Sequence, residues 1–240
     1  MPNALSVSRL CYSITDRDIL NSLNLEVAEH SYFALAGVNG AGKSTLIKLI
    51  LDLIRPSHGG RIEIYGNTNQ SLVSRNRLAY LPEKFDLRKT VTGWQYLNFV
   101  STVYGLPINR RLIKKLAMKF NFLPDRLASK VAGYSKGMVQ ILGLISCFML
   151  ERDLLILDEP LSGLDPQARY RFKQLLSDEK NKGRTIFYST HLLADAEEIC
   201  DQFGILHQGE IKFTGSPQHC CETYQAKTLE QAYMSCISAC

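Results

Sequence analysis

The stretch Gly37-Val38-Asn39-Gly40-Ala41-Gly42-Lys43-Ser44 decides the fold of this 240-residue chain. It matches the pattern G-x-x-x-x-G-K-[ST] at every fixed position. A β-prone run, 31–36, precedes it, and a helical pattern begins at Lys43 and continues to the break at Arg55-Pro56. Glycines let successive backbone N–H groups turn toward one centre, and the positive end of the following helix points at the same place. The stretch therefore predicts a phosphate-binding loop in an α/β protein.

The side chains of this loop suit a nucleotide. Lys43 can reach the β- and γ-phosphates, and the Ser44 hydroxyl can ligate Mg²⁺, a hard cation that prefers oxygen. A chance glycine-rich turn is the alternative, but it leaves the flanking strand and helix unexplained. We predict that the nucleotide is bound by Gly37, Val38, Asn39, Gly40, Ala41, Gly42, Lys43, Ser44 and Thr45.

Two adjacent acids form a second candidate site. The apolar run 154–157 leads directly into Asp158 and Glu159. In an open α/β sheet the carboxyl ends of the strands face the ligand. Asp158 would then hold Mg²⁺, directly or through water, and Glu159 would orient or deprotonate the attacking water. Taken alone, the two acids fit a solvated turn equally well; the phosphate loop favours the site.

The rest of the chain alternates strands with helices, which predicts an α/β fold with a mainly parallel sheet. Helical periodicity dominates from about Lys84 to Glu151, with breaks at 105–107 and 123–125. We read this segment as a helical insertion. Further strands are predicted at 5–10, 22–27, 61–65, 154–157 and 185–189, and a hairpin at 203–207 and 210–214.

With these motifs in place, the chain resembles an ABC-family ATPase over nearly all of residues 1–215. The family signature is Leu-Ser-Gly-Gly-Gln, and the corresponding stretch here is Tyr134-Ser135-Lys136-Gly137-Met138, in which Ser135 and Gly137 match. In the family this motif binds the γ-phosphate of ATP held by the partner subunit. The purely structural alternative is a helix N-cap.

Four further positions resemble functional positions of the family. The loop 162–165 resembles the one that couples two subunits, and His191 resembles the switch histidine, which would act with Glu159 and Lys43 in catalysis. Tyr12 stands where the family keeps an aromatic ring that stacks on adenine; its alternative role is an ordinary strand aromatic. Glu83 replaces the usual Gln, and its carboxylate can still ligate Mg²⁺.

The resemblance implies an α/β, P-loop NTPase fold with a RecA-like parallel-sheet core, an N-terminal antiparallel β region and a helical ABC subdomain. The expected nucleotide-binding domain spans 1–215, with the helical subdomain at about 84–151, and a C-terminal tail spans 216–240. The implied cofactors are ATP and Mg²⁺. Three features resemble those of ABC-2 type exporters: the variant signature at 134–138, Glu83 in place of Gln, and the tail stretch 228–233.

The implied function is ATP hydrolysis that powers a separately encoded integral membrane permease. A second ATPase subunit, most simply another copy of the chain, would complete each site. The expected location is the cytoplasmic face of the inner membrane, and no nucleic-acid partner is expected. Two alternatives stay open, a soluble ABC ATPase in an assembly pathway and a non-hydrolysing ATP-binding regulatory module.

Composition limits these readings. The N-terminus carries no secretory signal pattern, and the longest apolar run, 141–150, is too short to cross a bilayer. The seven cysteines are expected to be reduced thiols. The alternative for the four cysteines nearest the C-terminus is that they bind a metal ion together with His219. Residues 105–136 contain eight basic residues and one acidic residue, a net charge of +7, whereas the whole chain carries +5. This segment fits a solvated helix face, an acidic lipid surface or a nucleic-acid groove.

Overall fold

The computed structural model describes residues 2–85 and 87–238. The strands are β1 (Asn3–Ile14), β2 (Arg17–Ala28), β3 (Tyr32–Ala36), β4 (Arg61–Ile64), β5 (Asn67–Thr68), β6 (Leu78–Leu81), β7 (Leu154–Leu157), β8 (Thr185–Thr190), β9 (Gln202–His207) and β10 (Glu210–Gly215). The α-helices are α1 (Lys43–Ile50), α2 (Leu72–Asn76), α3 (Gly93–Val103), α4 (Arg110–Lys119), α5 (Lys136–Phe148), α6 (Pro166–Lys180), α7 (Leu193–Ile199), α8 (Pro217–Thr223) and α9 (Leu229–Ser238). Two short 3-10 helices, Pro124–Ala128 and Val131–Gly133, lie between α4 and α5.

A six-stranded sheet forms the centre, in the order β10-β9-β3-β8-β7-β6. The strands from β9 to β6 pair in parallel, and β10 adds an antiparallel edge through the predicted hairpin. The carboxyl ends of β3, β7 and β8 therefore meet at one edge of the sheet. This arrangement confirms the predicted α/β class with its mainly parallel core.

Both faces of the central sheet are buried. On β3, Tyr32 and Ala34 pack into the larger core cluster, whereas Phe33 and Leu35 pack into the smaller one on the opposite face. Successive side chains of a strand point to opposite faces, so one apolar run serves both clusters. The larger cluster lies against helices that include α5, α6 and α9, and the smaller lies against α1 and the antiparallel strands.

The predicted N-terminal antiparallel region is a separate sheet in the order β2-β1-β4-β5. Strands β1 and β2 form a long hairpin whose turn brings Arg17 and Ile19 over the loop that precedes α1. This sheet thus closes one side of the cleft described below.

The first helix is shorter than the sequence indicated. We expected it to continue to the break at Arg55-Pro56, and it ends at Ile50. Asp52 adopts a left-handed φ of 56°, and the N–H groups of Asp52 and Leu53 donate to the carbonyls of Leu49 and Lys48. These two bonds make a Schellman motif, which satisfies the last carbonyls and stops the helix.

Helices α3, α4 and α5 lie between β6 and β7 in the chain, within the segment predicted to be helical. Side chains define their starts: Thr92 and Gln95 form a capping box at α3, and Asn109 caps α4. The apolar run 141–150 is buried in and just after α5. None of the described helices combines the length and apolar character that crossing a bilayer requires.

The C-terminal segment packs against the body of the protein. Along α9, Leu229, Ala232, Tyr233 and Cys236 are buried in the larger core cluster at the spacing of one helix face. Among the described residues no disulfide forms, and no three His, Cys, Asp or Glu side chains are grouped to hold a metal. Cys240, which belonged to the imagined metal site, lies outside the described residues.

Candidate functional site

The glycine-rich loop 37–42, predicted to bind phosphate, connects the end of β3 to the start of α1. Gly42, the N-cap of α1, has a φ of 109°, and a Cβ there would lie 2.8 Å from Leu20 Cδ2. Only glycine suits this conformation and this close approach. Lys43 is 7% exposed, and its Nζ donates a hydrogen bond of 2.7 Å to the Gly37 carbonyl. The loop therefore bends back on itself with its lysine held at the centre.

The two acids follow β7 and are tied to β8 through Ser189. The Ser189 hydroxyl donates to Asp158 Oδ1 at 2.5 Å, and it accepts the backbone N–H of Glu159 at 2.8 Å. Asp158 is 3% exposed. Glu159 has a φ of 49°, an uncommon conformation for a residue with a side chain, and such residues are found where the surrounding structure holds them. Ser189 is that support here.

Lys43, Glu159 and His191 converge in space. Glu159 Oε1 lies 3.6 Å from Lys43 Nζ, and Glu159 Oε2 lies 2.8 Å from His191 Nδ1. The carboxylate is nearly buried, whereas the imidazole is half exposed. A carboxylate between a fixed cation and a ring that reaches solvent can hold a water molecule or a proton at a defined position.

These residues border a cleft of about 520 Å³. Most of the predicted site residues line it, namely Val38, Asn39, Gly40, Gly42, Lys43, Ser44, Thr45, Glu83, Glu159 and His191. Ser162 of the loop 162–165 also lines it, as do Arg17 and Ile19, which no sequence pattern indicated. Arg17 brings a guanidinium to the rim, which is a group suited to phosphate oxygens.

Four predicted residues lie near the cleft without lining it. Gly37 and Ala41 are buried behind the loop, and Asp158 is buried beside Ser189. Tyr12 is half-buried on β1, where it pairs with Leu20 and packs against the smaller core cluster. Its neighbour across the hairpin, Ile19, borders the cleft instead. Adenine stacking on Tyr12 stays a prediction.

Ser135 and Gly137 lie apart from this cleft, at the start of α5. The Ser135 hydroxyl accepts the Met138 N–H at 3.2 Å and so caps the helix. A Cβ on Gly137 would lie 2.9 Å from the carbonyl oxygen of Gly163. The aliphatic side-chain carbons of Lys136 also pack against Gly163. The signature-like stretch therefore contacts the loop 162–165 within one chain.

The oxygen groups at the cleft fit a magnesium ion. Ser44 and Glu83 border the cleft, and Asp158 lies behind Glu159. Mg²⁺ commonly takes one or two carboxylates and obtains its other ligands from water and substrate phosphates, as this donor set allows. Burial, with the nearby Asp158 carboxylate, raises the pKa of Tyr80 to about 12, so this phenol stays protonated beside the acids.

Comparison with known proteins agrees with this geometry. The ABC transporter family profile matches residues 20–162. An uncharacterised ABC transporter ATP-binding protein of Nostoc sp. is 37% identical over 200 residues, which are 82% of this chain and 59% of the relative. The ABC-type transporter ATP-binding protein EcsA of Bacillus subtilis is 34% identical over 237 residues, which are 96% of this chain and 95% of EcsA.

A solved structure of an ATP-binding subunit of an ABC transporter superposes with a TM-score of 0.89 at 34% identity, covering 98% of this chain and 99% of that one. The chain spans less than two thirds of the Nostoc relative but nearly all of EcsA. Because the profile covers more than half of the chain and both relatives exceed 30% identity, the chain belongs to the ABC transporter family, among its ATP-binding proteins.

Proposed function

We propose that this chain binds and hydrolyses ATP with Mg²⁺ and that this cycle powers a separately encoded membrane permease, most simply an ABC-2 type exporter. The convergence of Lys43, Glu159 and His191 beside the glycine-rich loop is the observation that carries the proposal. Within it, residues 1–215 act as the nucleotide-binding domain, with the helical subdomain at about 84–151. Residues 216–240 form the tail, whose described part, 216–238, supports the domain by packing on its core.

The loop binds the phosphates in this mechanism. The N–H groups at the start of α1 and the Lys43 ammonium face the cleft, so the β- and γ-phosphates are held by charge-assisted hydrogen bonds. Ser44, with Asp158 and Glu83, would hold Mg²⁺, which when bound would supply positive charge to offset that of the phosphate oxygens. Ser189 keeps the Asp158 carboxylate pointed at that position.

Glu159 orients the attacking water and accepts its proton. Its carboxylate is nearly buried, and its two oxygens face Lys43 and His191, so its orientation is defined before substrate arrives. His191 reaches the open side of the cleft, where it can contact the γ-phosphate while it holds Glu159. Positioning and electrostatics of this kind supply most of the catalysis of phosphoryl transfer.

A second copy of the chain completes each site. Ser135 and Gly137 start a helix whose N-terminus lies outside the cleft of its own chain, so it is available to ATP held by another subunit. The contacts of Gly137 and Lys136 with Gly163 connect this surface to the loop that follows Glu159. The two-subunit site is supported by this separation within one chain.

An apolar groove beside Glu83 suits the permease. Its volume is about 610 Å³, and Tyr80, Phe85, Val91, Tyr96 and Phe99 contribute to its walls. Phe99 is 64% exposed there. A short helical segment of a membrane protein can bury its apolar side in such a groove. Because Glu83 also borders the nucleotide cleft, the groove and the cleft share one loop.

The test compares ATP hydrolysis by the parent chain, Glu159→Gln and a matched control, Glu230→Gln, whose side chain is exposed on α9. We expect Glu159→Gln to lower Mg²⁺-dependent turnover by about 10²- to 10⁴-fold, the usual contribution of a general base. The control should retain the parent rate. Light scattering should then detect an ATP-dependent dimer of Glu159→Gln, since that variant cannot hydrolyse the nucleotide that joins the subunits.

Equal rates for Glu159→Gln and the parent would contradict the assignment of the base. ATP binding without turnover by the parent, even with its permease, would contradict hydrolysis and favour the regulatory alternative.

A further inference from the structure

Helix α4 carries the positive charge of the helical segment on one exposed face. Its ten residues, RRLIKKLAMK, include five basic residues and no acidic residue. Arg110, Arg111, Lys114 and Lys115 are exposed, whereas Ile113, Leu116 and Ala117 are buried. Residues at spacings of three and four share a helix face, so the cations form one stripe along the outside of α4. Met118, which is 66% exposed, lies within that stripe.

Backbone pairing extends the stripe beyond α4. Lys130 bridges to Thr92, and the N–H of Val131 donates to the Val91 carbonyl, so the segment around Lys130 lies beside the start of α3. The guanidinium of Arg110 lies 4.9 Å above the ring of Trp94, in the first turn of α3. Lys89 joins the same region, because the Lys89 carbonyl accepts the Ala132 N–H. We call the resulting surface the basic face; it consists of Lys89, Arg110, Arg111, Lys114 and Lys130.

The charges of the basic face are not neutralised by any carboxylate in the described part of the chain. Within residues 2–85 and 87–238, no carboxylate forms an ion pair with any of its five members. Neighbouring cations differ: Lys119 pairs with Asp178, and Lys115 also helps to lower the pKa of that carboxyl, so both are left out of the basic face. Five unpaired cations on one surface repel each other, and an anionic partner relieves that repulsion.

The surroundings of the basic face indicate what that partner is. Met118, within the stripe on α4, is 66% exposed, and Val103 on α3 is 65% exposed. Exposed apolar side chains suit the boundary between headgroups and acyl chains. A surface for single-stranded nucleic acid instead presents open aromatic rings, and one face of the Trp94 ring is covered by Arg110.

We propose that the basic face binds the headgroups of a bilayer that contains anionic phospholipid. Each Lys or Arg near such a surface contributes about a fivefold gain in affinity, and the attraction is screened by salt. The groove proposed for the permease adjoins this surface, since Arg88 lines the groove and Lys89 belongs to the basic face. Lipid binding nevertheless needs neither the permease nor ATP hydrolysis, so it is tested separately from the proposed function.

The experiment is co-flotation of the full chain, without nucleotide, with vesicles of phosphatidylcholine alone or with about one third phosphatidylglycerol. Arg111→Gln/Lys114→Gln removes two charges from the basic face. Lys48→Gln/Lys227→Gln removes two exposed charges elsewhere and is the matched control. We expect binding only to the anionic vesicles, about thirtyfold weaker for the first double variant and nearly unchanged for the control. Raising the salt concentration should weaken binding further.

Several results would overturn the proposal: no dependence on phosphatidylglycerol, an equal loss in both double variants, or tighter binding to duplex RNA than to the vesicles with the same variants affected. Mg²⁺-dependent ATP turnover is measured beside the flotation. Normal turnover in the first double variant shows that it is folded, and turnover by the parent reports on the proposed function independently of the lipid result.

Discussion

At the residue scale, one hydroxyl group serves two neighbouring groups of the nucleotide site. Ser189 donates to the Asp158 carboxylate and accepts the N–H of Glu159, whose backbone has a left-handed φ. Replacing Ser189 by Ala leaves both buried groups without this partner. We expect Ser189→Ala to lower the free energy of unfolding by about 1–3 kcal/mol and ATP turnover by about tenfold or more. Urea unfolding and steady-state hydrolysis measure the two effects.

Ser74→Ala is the matched control for Ser189→Ala. The Ser74 hydroxyl is fully buried and donates to the Thr68 carbonyl at 2.8 Å, away from the cleft. We expect a similar loss of stability in this variant with unchanged turnover at a temperature where both variants are folded. If Ser189→Ala also kept its turnover, the carboxylates would hold their positions without the serine, and its positioning role would be refuted.

The sequence predicted more of the residues that line the site than of the residues that hold them in position. The loop 37–44 and the pair Asp158-Glu159 follow local patterns, and most of these residues border the cleft. Ser189 belongs to no pattern, and only the pairing of β7 with β8 brings it beside Asp158. Arg17 reaches the cleft because the β1–β2 hairpin packs over Gly42, a contact between distant parts of the chain. Local patterns contain no information on such contacts.

At the element scale, the strands and helices with strong periodicity were predicted correctly. The hairpin of β9 and β10 and the buried helix α5 correspond to their patterns. The end of α1 was missed because its Schellman motif has Asp52 in the left-handed conformation, where glycine is the usual residue that signals a helix end. The sequence predicted 216–240 only as a tail, and no sequence pattern indicated that helices α8 and α9 within it pack on the core.

Helix α9 offers a test of that packing. Leu229 is fully buried at its start, whereas Met234 on the same helix is 57% exposed. We expect Leu229→Ala to lower the free energy of unfolding by about 2–5 kcal/mol, because it removes apolar contacts and leaves a cavity. Met234→Ala should change it by about 0.5 kcal/mol or less. Thermal or urea denaturation measures both; equal, small effects would mean that α9 does not contribute to the cooperative core.

At the scale of the whole molecule, the nucleotide site lies where the two core clusters meet the carboxyl edge of the central sheet. Lys43 and the loop residues rest on the smaller cluster through α1, whereas His191 follows a strand that contributes to both. The site residues are thus brought together by elements from most of the chain. A loss of global stability should therefore also lower ATP turnover, so the pH range over which the fold is stable also limits the pH range of activity.

Buried thiol and phenol groups set the upper pH limit of the stability of the fold. Burial raises the pKa of Cys147 from 9.0 to about 12, so above pH 9 the unfolded chain loses this proton while the native chain keeps it. The unfolded state is then favoured, and stability present below pH 9 is lost as the pH rises toward 12, by about 1.4 kcal/mol per pH unit for this thiol. Urea unfolding at pH 7.5, 9, 10 and 11 should show little change between pH 7.5 and 9 and then approach that slope, with further decline above pH 10 from Tyr80 and Tyr96, whose pKa values are also raised to about 12. Cys147→Ala should be less stable at neutral pH because of its cavity, yet its loss between pH 9 and 10 should be smaller than that of the parent. An identical slope in both proteins would show that the Cys147 thiol ionises in the native state as readily as in the unfolded chain.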